Sequence, residues 1–308
     1  VLTGEISRVA LNLKIPWEFM KILFWQLLVN GIITGSLYAV AGVSWGIIYR
    51  TTRIFHFSHQ LVFAVAGYVA ALTTLFFPFY FGFFAAVGAA VVLGSAIEIL
   101  LYRNLRRLQA SQTTTFLASM GLATAGIALI LLFLRSNPRA LNGMPNIMLT
   151  LGPTNFTAVD IVLVVASWAM IGALLFLLAR SRYGKAIRAV GSNLEMAKNL
   201  GLNSEKIYLL VFAMGSALFG AAAFLYTARN CAFPTMGLLP FFMSFTAVFL
   251  GGISNIAGHA LAGLVLGLAE TLGMIVLPGE YRIIIVFLIL FVVIIIRPEG
   301  LLSAKRDR

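Results

Sequence analysis

Residues 24–49 run for 26 positions without one charged side chain, and as a helix at about 1.5 Å per residue that stretch is about 39 Å long. The hydrocarbon layer of a bilayer is about 30 Å thick, so such a helix must tilt strongly or break. Further apolar runs follow at 61–77, 81–102, 115–134, 158–179, 207–228, 260–277 and 283–296, with a shorter one at 237–250. In lipid only helices or closed barrels satisfy every backbone group, and these runs are too long and too unalternating for barrel strands. Composition agrees, because 10% of the residues are charged and mean hydropathy is +0.99, whereas a soluble domain carries about 25% charged residues. The chain reads as an all-α polytopic membrane protein with eight or nine membrane segments. The count turns on whether 237–250, about 21 Å as a helix, spans or enters as a re-entrant half-helix.

Within 24–49, Gly31, Gly35, Gly42 and Gly46 permit a kink or a close helix contact. Asn30, Thr34 and Ser36 must face protein or a cavity. Before this run, residues 1–21 are expected to form an amphipathic interfacial helix with Ile6, Val9, Ala10 and Leu13 on one face, Pro16 ending it and Trp17 as an anchor. They hold no apolar block of signal-peptide kind, so no cleaved leader is expected. Pro78, Phe79 and Tyr80 make a tight turn between two antiparallel helices. Three prolines in 135–157 mark a loop, and 298–308 form a tail. One cysteine excludes an internal disulfide.

The net charge of +12 is a topology signal before it is a sign of nucleic acid. With nine crossings and the C-terminus inside, the loops 50–58, 103–112 and 180–206 and the tail with Arg297 hold fifteen of the 22 Lys and Arg residues. That bias places 180–206 in the cytoplasm. It is the longest polar interval, with six basic residues and two acids, Glu195 and Glu205. From Lys185 onward Ile187, Val190, Leu194, Ala197 and Leu200 read as the apolar face of a short helix that Gly201 closes, while Asn203 and Ser204 offer a cap to the next. Such a face suits docking into a groove on another protein, or else belongs to a solvated connecting loop.

No GxxxxGK[ST] occurs, so the chain has no phosphate-cradling ATP site of its own, and HExxH is absent too. The histidines His56, His59 and His259 lack a carboxylate or cysteine in their segments, so no metal site is expected. They either line a polar pathway or serve as satisfied hydrogen-bonding groups at loops. Glu98 lies near a basic helix end and should pair with Arg103 or its neighbours. Glu270 lies mid-helix, facing a helix partner or a pathway. The pattern His59-x-Leu61-xxx-Val65-x-Gly67 returns as His259-x-Leu261-xxx-Val265-x-Gly267, an internal echo of the kind transporters carry.

RAVGSNLEMAKNLGLN at 188–203 resembles the coupling loop of ABC importer permeases, in the branched-chain amino acid, amide and urea family. FTAVFLGGISNIAGHALAGLVLGLAE at 245–270 is similar to that family's Gly-Gly segment, NGIITGSLYAV and FHFSHQ to its N-terminal part, and IIIRPEGLL to its C-terminal end. The likeness runs in order over about residues 23–302. It implies a permease domain over 22–297 that moves a small polar solute (a branched-chain amino acid, an amide or a urea-like molecule) inward by alternating access. It also implies a second related permease subunit, two cytosolic ATPase subunits that hold the ATP and Mg, an external solute-binding protein, and a bacterial inner membrane. No cofactor and no nucleic acid belong to this chain, and it is not itself an enzyme.

By the same resemblance Arg188, Asn193, Glu195, Ala197 and Gly201 couple to the ATPase. Gly251 and Gly252 match the Gly-Gly pair and Glu270 its following acid. His56, Phe57, Ser58, His59 and Gln60 stand where the family commonly has an Asn-Phe-Ala-His-Gly-Glu-like run, and Ala257, Gly258 and His259 stand where it has a Pro-Gly-Ala-like run. With Asn30, Ser36 and Asn255 these residues are expected to border the pathway. The departures leave the solute open. Apart from the resemblance, a self-sufficient secondary transporter or channel, and a membrane enzyme using the histidines, remain alternatives.

Overall fold

The computed structural model describes residues 17–144, 147–275 and 281–296. The surface helix expected in 1–16 and the tail expected at 298–308 lie outside these residues. Six helices among the described residues are long and apolar enough to cross a membrane.

Helix α1, Trp17–Thr52, is continuous through 36 residues, so the 24–49 run does not break and its helix extends past it at both ends. It has no proline after Pro16 to interrupt it, and its glycines serve contact rather than a kink. Most of it is enclosed by the rest of the chain. Its main neighbour is α11, Ile256–Gly273. A Cβ at Gly35 would lie 2.7 Å from the Leu264 carbonyl oxygen, and one at Gly263 would lie 2.5 Å from the Ala39 nitrogen. The two backbones approach until only hydrogen fits between them.

Helix α2, His59–Thr73, and α3, Phe79–Ile97, form the expected hairpin. The chain continues from α3 through a π-helical turn, Glu98–Tyr102, into α4, Arg103–Arg107. Helix α5, Gln112–Leu134, begins at Ser111, whose hydroxyl accepts from the Thr114 N–H. The 135–157 stretch contains a hairpin that its prolines did not foretell: β1, Met148–Leu151, pairs antiparallel with β2, Thr154–Thr157, around Gly152 at φ +59°. Thr157 and Asp160 then build a reciprocal capping box that starts α6, Ala158–Arg180.

The basic interval is two helices rather than one. Helix α7, Arg182–Ser192, stops at Asn193, whose extended backbone and side-chain oxygen cap α8, Leu194–Asn199. Gly201 closes α8 at φ +80°, and Asn203 caps α9, Ser204–Arg229, both as expected from sequence. Helices α10, Leu238–Gly251, and α12, Arg282–Ile296, complete the set.

Two sets of polar contacts sit at opposite ends of the bundle. At one end Arg229 pairs with Asp160 at 3.0 Å and donates to Asn30 at 3.0 Å, while Gln26 exchanges two hydrogen bonds with the Asn155 backbone. At the other end Arg106 pairs with Glu98 and Arg103 with Glu205, so Glu98 has the neighbour of Arg103 as its partner. A Cβ on Gly191 of α7 would sit 3.3 Å from the Arg50 carbonyl oxygen. The three basic intervals that charge counting put on one side are therefore neighbours in space.

Candidate functional site

After Thr52 the chain turns back. His59, the first residue of α2, bonds through Nε2 to Ser44 Oγ at 2.9 Å, which is eight residues or about 12 Å up α1 from its end. Residues 53–58 return along that distance and carry the polar run into the bundle. There His56 Nδ1 meets Tyr102 Oη at 2.8 Å, Tyr102 donates to Ser119 Oγ at 2.7 Å, and Ser119 Oγ accepts the Ser58 N–H at 2.9 Å. The Ser58 hydroxyl in turn donates to the Ser119 carbonyl at 2.7 Å, and the His59 ring stacks on Phe219 at 3.9 Å.

All three histidines are fully buried. His56 and His59 lie among α1, the Glu98–Tyr102 turn, α5 and α9, where the returning segment enters the bundle. Ser36, Ser58, Gln60, Gly251, Gly252 and Glu270 are buried too, and Asn30, Phe57 and Asn255 are partly exposed. Tyr102, Ser119 and Ser44 complete the knot without having been singled out from sequence. A tyrosine and two serines in apolar runs carry no pattern that marks them.

His259 forms a second cluster. Its Nε2–H donates to the Gly252 carbonyl at 3.0 Å, and its ring occupies the space that a side chain on Gly46 would need. Gly252 has φ +87°, a conformation in which a glycine carries no Cβ penalty, and Gly251 lies directly on the Gly258 backbone. Asn255 caps α11 by accepting the Gly258 N–H at 3.0 Å. Both histidines of the sequence echo thus lie near the start of a helix and press on α1, one on Ser44 and one on Gly46.

In 180–206 the apolar face points inward. Ile187, Val190 and Ala197 are buried against the chain's own helices, and Arg188 donates to the Leu178 carbonyl at the end of α6. Ala197, expected to dock on a partner, is only 2% exposed and so is a packing residue. The apolar side chains presented outward are Tyr183, Met196 and Leu200, at 64%, 62% and 73% exposure, with Glu195 beside them. Gly201 has open space where a side chain would stand.

A half-buried aromatic surface runs between the two regions. Phe242, Phe245 and Phe249 lie along one side of α10, and the rings of Phe57 and Phe241 are 4.9 Å apart. Phe55 contacts Phe245 at 5.1 Å and Phe116 at 5.3 Å. Its upper edge is where a Cβ on Gly237 would strike the Gln60 backbone, so α2 and α10 begin side by side and run in opposite directions.

Residues 27–294 match the family described as branched-chain amino acid transport system / permease component. The chain is 32% identical over 300 residues to the high-affinity branched-chain amino acid transport system permease protein BraD of Pseudomonas aeruginosa, covering 90% of this chain and 95% of BraD. It is 28% identical over 299 residues to the corresponding permease protein LivH of Escherichia coli, covering 91% and 96%. Among solved structures, PsaBC from Streptococcus pneumoniae in complex with Fab has a chain of similar fold, with a TM-score of 0.52 at 15% identity over 89% of this chain and 92% of that one. The matched region takes in the Gly-Gly turn, the 180–206 interval and most of every helix from α1 to α12, and the chain belongs to this family, as a multi-pass membrane permease component of the branched-chain amino acid transport type.

Proposed function

We propose that this chain is one permease half of an ATP-driven importer in a bacterial inner membrane, working with a second related permease, two cytosolic ATPases that hold ATP and Mg, and an external solute-binding protein. Its domain is 22–297 with α1 reaching back to Trp17, and 180–206 is the cytoplasmic coupling loop. The solute is a branched-chain amino acid or a related small polar molecule, moved inward by alternating access. One observation carries the reading. The loop's inner face packs on the end of α1 at Gly191 and bonds to the end of α6 through Arg188, while Tyr183, Met196 and Leu200 are left facing outward. A partner that grips the outer face moves the foot of α1, and with it the two histidine clusters. Arg188 and Asn193 then act as positioning residues, and Met196 and Leu200 take the docking role.

Counting α2 with 53–58 and α10 with 230–237 as one crossing each gives nine crossings, with 180–206 and Gly251 on the inner side. In this arrangement Cys231, partly buried between α9 and α10, lies on the outer side. An impermeant maleimide should label it in intact cells or right-side-out vesicles, and labelling confined to inside-out vesicles would reverse the assigned orientation.

The coupling reading is tested in proteoliposomes containing the whole complex with its binding protein. Leu200→Glu and Met196→Glu should lower ATP-driven uptake at least tenfold, while the purified permease keeps its thermal stability, because both side chains are exposed. Uptake within twofold of wild type in the double variant would remove the loop from the mechanism. Absence of ATP-dependent uptake by the wild-type complex, tested with branched-chain amino acids, amides and urea, would remove the importer assignment.

A further inference from the structure

At the foot of α1 a cavity of about 520 Å³ opens between Tyr49, Thr52, Arg53, Phe55, Arg106 and Phe116. Its two cations are not equivalent. Arg106 is held by the Glu98 carboxylate, whereas Arg53 is exposed and enters none of the ion pairs seen among the described residues. The cavity therefore carries one uncompensated positive charge.

Arg53 also sits at φ +58°, closing α1 by donating its N–H to the Tyr49 carbonyl at 2.9 Å. Glycine or asparagine fills such a position with less strain. A guanidinium kept in a left-handed conformation at a cavity mouth points to a role for the side chain.

Aromatic rings line part of the cavity, beside the polar Thr52, Gln112, Thr113 and Thr115. Tyr49, Phe55 and Phe116 continue into Phe245, Phe241 and Phe57, and that surface leads to the Gln60–Gly237 contact deep in the bundle. A single cation facing a wall of aromatic rings fits a small molecule with a carboxylate at one end and a compact apolar group at the other. A guanidinium binds a carboxylate through two parallel N–H donors, and neutral amides or urea gain no such pairing.

We propose that this cavity is a solute-holding site at the inner end of the pathway, with Arg53 receiving the carboxylate and the Phe55–Phe116 wall the apolar side chain. The proposal rests on the permease reading above and adds to it a site and a ligand class. A lipid phosphate offers Arg53 similar anionic oxygens, so the test separates the two.

The assembled permease–ATPase complex, without the external binding protein, is placed in nanodiscs of phosphatidylcholine alone. Equilibrium binding of L-leucine and L-leucinamide is then measured. Wild type should bind L-leucine, and Arg53→Gln should weaken that binding at least tenfold without changing the response to L-leucinamide. Arg53→Gly, which relaxes the backbone, should show the same loss, separating a missing charge from a disturbed helix end. Unchanged L-leucine binding in both variants, in a complex that still performs ATP-driven uptake, would overturn the site and leave the importer assignment intact. Leucinamide binding as tight as leucine would overturn the ligand class. If added phosphatidylglycerol abolishes leucine binding and co-purifies with wild type but not with Arg53→Gln, the cavity belongs to lipid and the proposal fails. A wild-type complex without ATP-driven uptake of any tested solute would remove the permease reading itself.

Discussion

Gly263→Leu should yield little or no folded protein. A Cβ there would lie 2.5–2.6 Å from Ala39 and Tyr38 backbone atoms, which cannot rotate away as a side-chain tip can. The only relief is to lift α11 off α1, losing contact along both helices. Overpacking in a core costs typically about 1–3 kcal/mol and more where backbone must move, so a loss of at least about 3 kcal/mol is expected. Gly88→Leu is the control, because a Cβ at Gly88 meets nothing within 4 Å. Size-exclusion profiles and thermal unfolding in detergent should show Gly88→Leu close to wild type and Gly263→Leu aggregated or absent. A monodisperse Gly263→Leu melting within a few degrees of wild type would mean that α1 and α11 are not packed as described.

Ser119→Ala is the second large effect. Ser119 Oγ accepts from the Ser58 N–H and from the Tyr102 hydroxyl, and both donors are buried. Removing the oxygen leaves the Ser58 N–H facing a methyl group and the Tyr102 hydroxyl with His56 alone. An unsatisfied buried polar group costs about 1–3 kcal/mol, so the pair should cost roughly 3 kcal/mol, against about 1 kcal/mol for removing the exposed helix cap in Ser111→Ala. Ser119→Thr keeps the hydroxyl and should recover much of the loss. Equal melting temperatures for Ser119→Ala and Ser111→Ala would show that the knot around His56 contributes nothing special.

These expectations rest on features that differ in how far they can be read from sequence. The long helices were legible because a lipid-spanning helix must be apolar over most of its length. Glycine at 31, 35, 42 and 46 announced a close contact, but not that α11 was the partner, since partner choice depends on matching shapes far apart in the chain. The β1–β2 hairpin had a usable signal in Met148–Leu151 followed by Gly152-Pro153, masked by the proline content around it. The basic interval was read as one helix with a docking face, whereas Asn193 divides it. An amphipathic pattern says which side chains leave water and not which neighbour receives them. Here the receiver is the chain itself, so Ala197 turned inward and Met196 and Leu200, one and three positions away, outward. The enclosure of His56 and His59 had no sequence signal. It follows from the return of 53–58 into the bundle, and an irregular segment of six residues shows no periodicity.

The packing of α1 has a consequence for synthesis. This helix is made before its partners, so its glycine groove and Ser44 remain unfilled until His59 and then α11 have been made. At about 5–20 residues per second the groove waits on the order of tens of seconds for α11. During that time an apolar helix with a notched flank stands in the bilayer, able to pair with any other helix that offers small residues. Its packing is complete only once Gly263 has been made, more than two hundred residues later in the chain.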